Sequence, residues 1–175
     1  MSRAMMLLTL VVLLALAAPA FAASEITVTV TLGQLCVDVS PASWALGIVG
    51  PTDSKTSWVS GNAGHFTATN CGNVPQDLTI ATGSTSPSGW TPRNPVGTNM
   101  YALLCGVGVS PYTTEPSWST VGGEPLALAS DIAVGGTVAF DLKFQAPTSD
   151  STYDPGGETF SVSLGVAEHA GGGSW

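Results

Sequence analysis

The sequence predicts an all-β protein, an antiparallel β-sandwich of about seven to nine strands. Short runs in which apolar and polar residues alternate recur along the chain, and each is bounded by Gly, Pro, Ser, Thr or Asn. No segment after residue 22 keeps a helical period of 3.6 residues over three turns. Two sheets about 10 Å apart would cover each other's apolar faces, and a closed barrel is the main structural alternative.

The first 22 residues have the layout of a secretory signal peptide. Arg3 carries the positive charge, residues 5–18 form an apolar run, and Ala20-Phe21-Ala22 is a small-x-small cleavage site. The apolar run is short for a bilayer span and ends at Pro19, which favours cleavage over a membrane anchor. We therefore expect a secreted protein, extracellular or at the cell surface, that has no membrane contact after cleavage.

Residues 23–33 are predicted to form a separate N-terminal strand. Four apolar residues alternate with threonines and share one face: Ile26, Val28, Val30 and Leu32. Beyond Gly33 the apolar positions become odd-numbered, as in Val37 and Val39. One buried face cannot continue through such a shift without a bulge or a bend. The segment is therefore interpreted as a strand donated to a neighbouring copy, with pairing inside its own domain as the alternative.

Residues 34–168 are predicted to form the sandwich domain, and the Gly-rich residues 169–175 a flexible tail. The domain opens with a strand at 35–39, followed by a short apolar piece that contains Trp44. Alternating runs then predict the remaining strands: 65–70, 76–82, 99–110, 126–134, 137–145 and 159–167. Polar loops rich in Gly, Pro, Ser and Thr connect them.

The charge balance excludes nucleic acid as a partner. Removing the signal leaves three Lys and Arg against twelve Asp and Glu, a formal charge of −9, so there is no basic patch for a phosphate backbone. Charged residues make up only 9% of the chain, so repulsion between molecules is weak. Such a surface favours a protein that packs against copies of itself, although a plain secreted domain with a Thr-rich surface has the same composition.

Three cysteines remain after the signal, and in an oxidising compartment two of them are expected to pair. Their spacing is too wide and too poor in histidine for a zinc site. If strands 65–70 and 76–82 are neighbours, the strand at 99–110 should return toward the turn between them. The predicted disulfide is therefore Cys71–Cys105, which leaves Cys36 over.

Two segments resemble parts of bacterial and archaeal cell-surface Ig-like domains. Residues 67–80 contain Asn70-x-Gly-Asn followed by Asp77 and an apolar residue, which resembles the strand–turn–strand of those domains. Residues 136–144, with Pro147 after them, are similar to their closing half. The resemblance implies an Ig-like sandwich. These are turn and packing motifs, so they specify a fold and no activity.

The layout of an alternating N-terminal strand ahead of such a sandwich resembles the subunits of donor-strand pili and related extracellular filaments. The resemblance implies a secreted structural subunit that assembles with copies of itself, into a filament or a surface layer, by exchange of that strand. The alternative is a carbohydrate-binding or adhesion module that binds a cell-surface glycan through loop tryptophans, with Trp90 and Trp118 as candidates. Tryptophans at an interface between subunits would look the same in the sequence.

No enzyme signature is present, so no catalytic residue and no cofactor are predicted. The chain has no Gly-x-Ser-x-Gly, His-Glu-x-x-His or phosphate-binding loop. His65 is expected to be an exposed strand residue, and His169 lies near the glycine tail. Asp38, Asp77 and Asp141 are interpreted as solvated, outward-facing side chains.

One acidic loop contains oxygen ligands that could bind a calcium ion. Asp150, Asp154 and Glu158 lie four residues apart beside two glycines, and their oxygens suit calcium. The ligand order of an EF-hand loop is missing, and acidic residues in turns are usually only solvated. The prediction is therefore no metal, with calcium as the alternative.

Overall fold

The computed structural model describes residues 32–83, 89–108, 112–151 and 158–171. Within these ranges the chain forms ten strands in two sheets and no helix, which confirms the predicted β-sandwich. The strands are β1 (Val37–Ser40), β2 (Ser54–Thr56), β3 (Phe66–Asn70), β4 (Gln76–Thr82), β5 (Thr91–Pro92), β6 (Met100–Gly106), β7 (Ser119–Thr120), β8 (Leu126–Ile132), β9 (Thr137–Gln145) and β10 (Val162–Glu168).

The larger sheet has the order β1-β3-β9-β6-β5 and is built around β9. The first half of β9 pairs with β3, its second half pairs with both β2 and β6, and β7 adds to β6. The pairs are antiparallel except for the short one between β5 and β6. This sheet is therefore mixed, whereas the sequence predicted antiparallel pairing throughout.

The smaller sheet has the order β10-β4-β8 and is antiparallel. Strands β4 and β10 pair without interruption, from Gln76 opposite Glu168 to Thr82 opposite Val162. The pairing of β4 with β8 is irregular, since its register shifts at two places. The two outer edges of this sheet therefore differ in regularity.

The hydrophobic core contains residues of both sheets. The buried side chains of β3 and β4 alternate with less buried ones, as the period of two in their sequences predicts. Strand β6 instead is buried at every position from Tyr101 to Gly106, because it lies in the middle of its sheet. Aromatic rings extend the core: Tyr101 and Phe144 stack with centroids 5.9 Å apart, and Phe160 lies 5.5 Å from each of them. Burial of each large apolar side chain contributes about 1.5–3 kcal/mol.

Two buried amides fasten one end of the sandwich. Asn70 donates from Nδ2 to the carbonyls of Val74 (2.9 Å) and Ile132 (2.8 Å), so it joins the β3–β4 turn to the end of β8. The carboxamide of Gln76, oriented to pair with Cys36, donates to its carbonyl at 2.9 Å and accepts from its amide at 3.0 Å. Buried amides need such partners. These bonds therefore fix the end of the sandwich that carries the β3–β4 turn, which we call the turn end.

The chain divides into two compact units between Leu32 and Gly33, and the second unit runs from Gly33 to Trp175. No helix in the described ranges is long and apolar enough to cross a membrane.

Candidate functional site

An apolar groove of about 800 Å³ lies between the outer strand of each sheet, β1 and β10. Its deepest part is formed by Phe66, Phe140 and Leu142 from β3 and β9, all nearly or fully buried. Val37 and Val39 of β1 line one side. The opposite side is lined by three apolar residues in and just before β10: Phe160, Val162 and Leu164. The groove therefore opens the core along one long side of the sandwich.

The core is less well covered at this groove than at its centre. Leu78 and Ile80 on β4 are both 0% exposed. On the neighbouring strand, Val162, Leu164 and Val166 point to the same core but are only half-buried. The side chains of β10 are thus covered by β4 on one flank and by no described strand on the other.

The backbone N–H and C=O groups of every second residue of β10 point toward the groove. The Gly83 amide donates to the Ser161 carbonyl (2.7 Å) and the His169 amide donates to the Pro75 carbonyl (3.0 Å). Odd-numbered residues therefore bond to β4, and the N–H and C=O groups of even-numbered residues point to the outer edge. The same residues place their apolar side chains in the groove and their backbone donors and acceptors along its rim.

Strand β1 has the same arrangement across the groove. The Cys71 amide donates to the Cys36 carbonyl (3.1 Å), so even-numbered residues of β1 bond to β3. The backbone groups of Val37 and Val39 then point to the outer edge. There the Val39 amide donates to the Asp38 carboxylate (3.0 Å), so β1 is partly satisfied and β10 is the more open edge.

Residues 41–49 follow β1 and cover part of the groove. They make no hydrogen bond with any described residue, and packing of three side chains against the core holds them: Trp44, Leu46 and Val49. Trp44 meets the ring of Phe66 edge-on, with centroids 6.4 Å apart. Ile48 in the same segment is 97% exposed.

The predicted donor strand lies almost wholly outside the described residues, including Ile26, Val28 and Val30. Its last apolar residue, Leu32, is described and is 82% exposed. Gly33, the next residue, lies beside Val74 and Glu168 at the end of β10, where an added Cβ would be 3.5 Å and 3.7 Å from those side chains.

The disulfide prediction was wrong. Cys36 bonds to Cys71, with Cα atoms 4.9 Å apart, and Cys105 is a buried free thiol. The β1–β3 register brings Cys36 opposite Cys71. Cys105 is paired with Leu142 on the far side of β9, roughly 20 Å along that strand from the end that Cys71 approaches. Burial, with a smaller effect from Asp141, raises the pKa of the Cys105 thiol to about 12.

The two candidate tryptophans do not form an exposed platform. Trp90 is half-buried, with its ring centroid 6.2 Å from that of Tyr101. Trp118 is half-buried too; its Nε1 donates to Glu115 (2.6 Å), and the Lys143 ammonium lies 5.5 Å from the ring centroid. Their contacts support the sandwich, and the flat faces that a sugar ring would stack on are partly covered.

One of the three carboxylates interpreted as outward is fully buried, so that interpretation was wrong for Asp141. Asp141 Oδ1 accepts from the Ser57 hydroxyl (2.6 Å) and from the His65 amide (3.1 Å), which joins β9 to the loop before β3. The pattern of apolar residues gave no signal for it, because Asp141 occupies an outward position on a strand that a loop covers. His65 itself is exposed, as expected.

Asp77 and His169 form a pair at the end of β10, with Oδ1 and Nδ1 2.7 Å apart. Asp77 also accepts from the Asp131 amide (2.9 Å), and these bonds lower the pKa of Asp77. The hydrogen bond that His169 makes with the Asp77 carboxylate raises the pKa of His169. The pair ties the chain beyond β10 to β4 near Gly33.

The calcium candidate is not assembled within the described residues. Asp154 lies outside them, while Asp150 is exposed and Glu158 lies on the groove lining. No group of three or more His, Cys, Asp and Glu in the described ranges is placed to hold a metal ion.

Comparisons with protein-family models, with curated proteins and with solved structures gave no match.

Proposed function

We propose that this protein is a secreted structural subunit, which assembles with copies of itself into an extracellular filament or surface layer by exchange of its N-terminal strand. The groove beside β10 is the acceptor, and residues 25–32 of another copy are the donor. The observation that carries the proposal is that β10 presents apolar side chains, and a backbone edge with which no described strand pairs, at the same residues facing an open groove.

The donor has the chemistry that this groove needs. A strand added beside β10 places every second side chain in the groove and makes backbone hydrogen bonds with the strand edge. Residues 25–32 supply an apolar residue at every second position and a threonine between. At about 3.3 Å per residue the donor is roughly 26 Å long, which fits the seven residues of β10.

The energetics favour a stable contact. Four aliphatic side chains would move from water into the groove, each contributing about 1.5–3 kcal/mol. They would also cover Val162, Leu164 and Val166, which are half-buried without them. No charged residue lies between Val162 and Ala167 to repel an added strand, and edge strands of soluble proteins are usually protected by such charges.

Deletion of residues 23–32 tests the proposal. The full chain is expected to give regular fibres or a lattice in electron micrographs of the secreted material, and the deletion variant a dispersed domain. A point variant with a matched control sharpens this: Val28→Asp with Val30→Asp places charges in the groove, whereas Thr27→Asp with Thr29→Asp leaves them outside. We expect assembly to be lost only in the first.

Fibres from the deletion variant would refute the proposal. Dispersed monomers from the unmodified chain would also refute it, and a glycan array with Trp90→Ala and Trp118→Ala would then test the alternative of carbohydrate binding.

A further inference from the structure

The apolar lining along β10 has a defined length. Alternate residues from 160 to 166 are apolar, and the next residues in the same alternation are Glu158 at one end and Glu168 at the other. Phe160, Val162 and Leu164 line the groove, and Val166 continues the same half-buried apolar face beyond it, so this face offers four consecutive apolar positions between two acidic ones. The donor segment also has four, from Ile26 to Leu32.

We propose that the donated strand runs antiparallel to β10 in one register, with Leu32 opposite Phe160 and Ile26 opposite Val166. Val30 and Val28 then lie opposite Val162 and Leu164. This inference rests on the proposed function and adds to it the direction and register of the contact between copies, which together decide whether assembly closes or continues.

The register follows from placing the four apolar residues of the donor opposite the four apolar positions from 160 to 166. A shift of two residues in one direction places Leu32 opposite Glu158, and a shift in the other direction places Ile26 opposite Glu168. Each shift puts a carboxylate against an aliphatic side chain, which is unfavourable when the carboxylate loses water. A shift of one residue would turn all four aliphatic side chains out of the groove.

The direction follows from the position of Gly33. In every copy Gly33 lies beside Glu168 and Val74, and Gln34 is fixed there because its amide donates to Asn73 Oδ1 at 2.6 Å. A strand donated in the parallel direction would bring the Gly33 of the donor to the Glu168 of the acceptor, where the acceptor's own Gly33 already lies. The antiparallel direction brings it to Thr159, which is exposed at the opposite end of the groove.

The direction determines the symmetry of the assembly. With antiparallel insertion, the turn end of one copy faces the opposite end of the next copy. Each copy then donates its strand from the turn end and accepts a strand that enters its groove at the other end, near Thr159. Such head-to-tail contacts continue into a filament. With parallel insertion, the turn ends of two copies would face each other, and each would reach the other's groove to form a closed dimer.

Cysteine cross-linking in the full chain tests the direction. In a Cys105→Ala background, Leu32→Cys with Phe160→Cys joins opposite positions in the antiparallel arrangement. Opposite residues there have Cα atoms about 5.5 Å apart, a separation that a disulfide spans. The matched control is Leu32→Cys with Val166→Cys, the pair that only parallel insertion brings together. A second antiparallel pair, Ile26→Cys with Val166→Cys, keeps the test open if the substitution of Phe160 prevents folding.

We expect a ladder of covalent oligomers on a non-reducing gel from the two antiparallel pairs and none from the control. Covalent dimers from the control pair would overturn the proposed direction while keeping strand exchange. An internal cross-link within monomers of the control pair would show that the strand fills its own groove and would overturn both. Filaments without a cross-link in any pair would likewise place the contact elsewhere and overturn both.

Discussion

The two outer strands of the smaller sheet, β8 and β10, flank the same central strand and differ in how their outer edges, which pair with no described strand, are protected. Strand β8 shifts register against β4 at two places and contains Asp131, whose backbone has a φ of 53°. Strand β10 pairs with β4 over seven consecutive residues and has no charge before Glu168. Bulges and charges discourage the addition of another strand, so the outer edge of β10 is the less protected of the two.

The largest expected effect comes from closing the β10 edge with a proline. Val166→Pro removes an N–H that points away from β4, so the internal pairing stays intact while the outer edge loses a donor. We expect assembly to be lost, as measured by sedimentation and electron microscopy. Val166→Ala, which keeps the N–H, is the control and should still assemble. Normal fibres from the proline variant would show that β10 is not the acceptor edge.

The disulfide fixes β1, which lies across the groove from β10, to the end of β3. Because Cys36–Cys71 closes a loop with a sequence separation of 35, its removal by Cys36→Ser with Cys71→Ser should lower the free energy of unfolding by about 3–4 kcal/mol. Urea unfolding measures this. Cys105→Ala keeps the bond and should lower the free energy of unfolding by only about 1 kcal/mol. Equal losses in the two variants would contradict the observed pairing.

The two edges can also be compared with one residue type. Leu128 on β8 is buried, whereas Leu164 on β10 is half-buried. In unassembled protein, Leu128→Ala should lower the free energy of unfolding by about 2–3 kcal/mol and Leu164→Ala by about 1 kcal/mol. In assembled protein, the loss in free energy of unfolding for Leu164→Ala should rise toward that for Leu128→Ala, since a donated strand would cover Leu164. A loss at Leu164 that is the same before and after assembly would argue against coverage.

The smallest effect is pH-dependent and lies at the end of β10. The raised pKa of His169 means that the charged pair with Asp77 stabilises the fold at acidic pH and that this contribution disappears as the pH rises through the folded-state pKa. The lowered pKa of Asp77 keeps the pair intact until the pH falls well into the acid range. The melting temperature should therefore decrease slightly from pH 6 to pH 8, and His169→Gln should remove that decrease.

The fold class could be predicted because it depends on a local pattern. A period of two in β4, β9 and β10 identifies strands and their inward faces without knowledge of their neighbours. The disulfide could not be predicted, because it depends on which strands are adjacent: β6 lies across β9 from β3, so Cys105 is far from Cys71.

Predicting the groove would also have required knowledge of which strands are adjacent. The alternation at Val162 and Leu164 predicts an inward face, but it does not predict that β4 is the only described strand that pairs with β10. Asp141 was missed for a related reason, since its burial comes from Ser57 and the loop that follows β2. Residues that face a loop or a sheet edge depend on topology, and their local sequence is no guide to their environment.

The odd cysteine has a consequence for how the chain matures. Once Cys105 is covered, its sulfur stays protonated at neutral pH, because a thiol with a pKa of about 12 yields almost no thiolate. Scrambled bonding is then a hazard only for newly made chains in which β6 has not yet been enclosed. Fast pairing of β6 with β9 would therefore increase the yield of molecules with the correct disulfide, in addition to stabilising them.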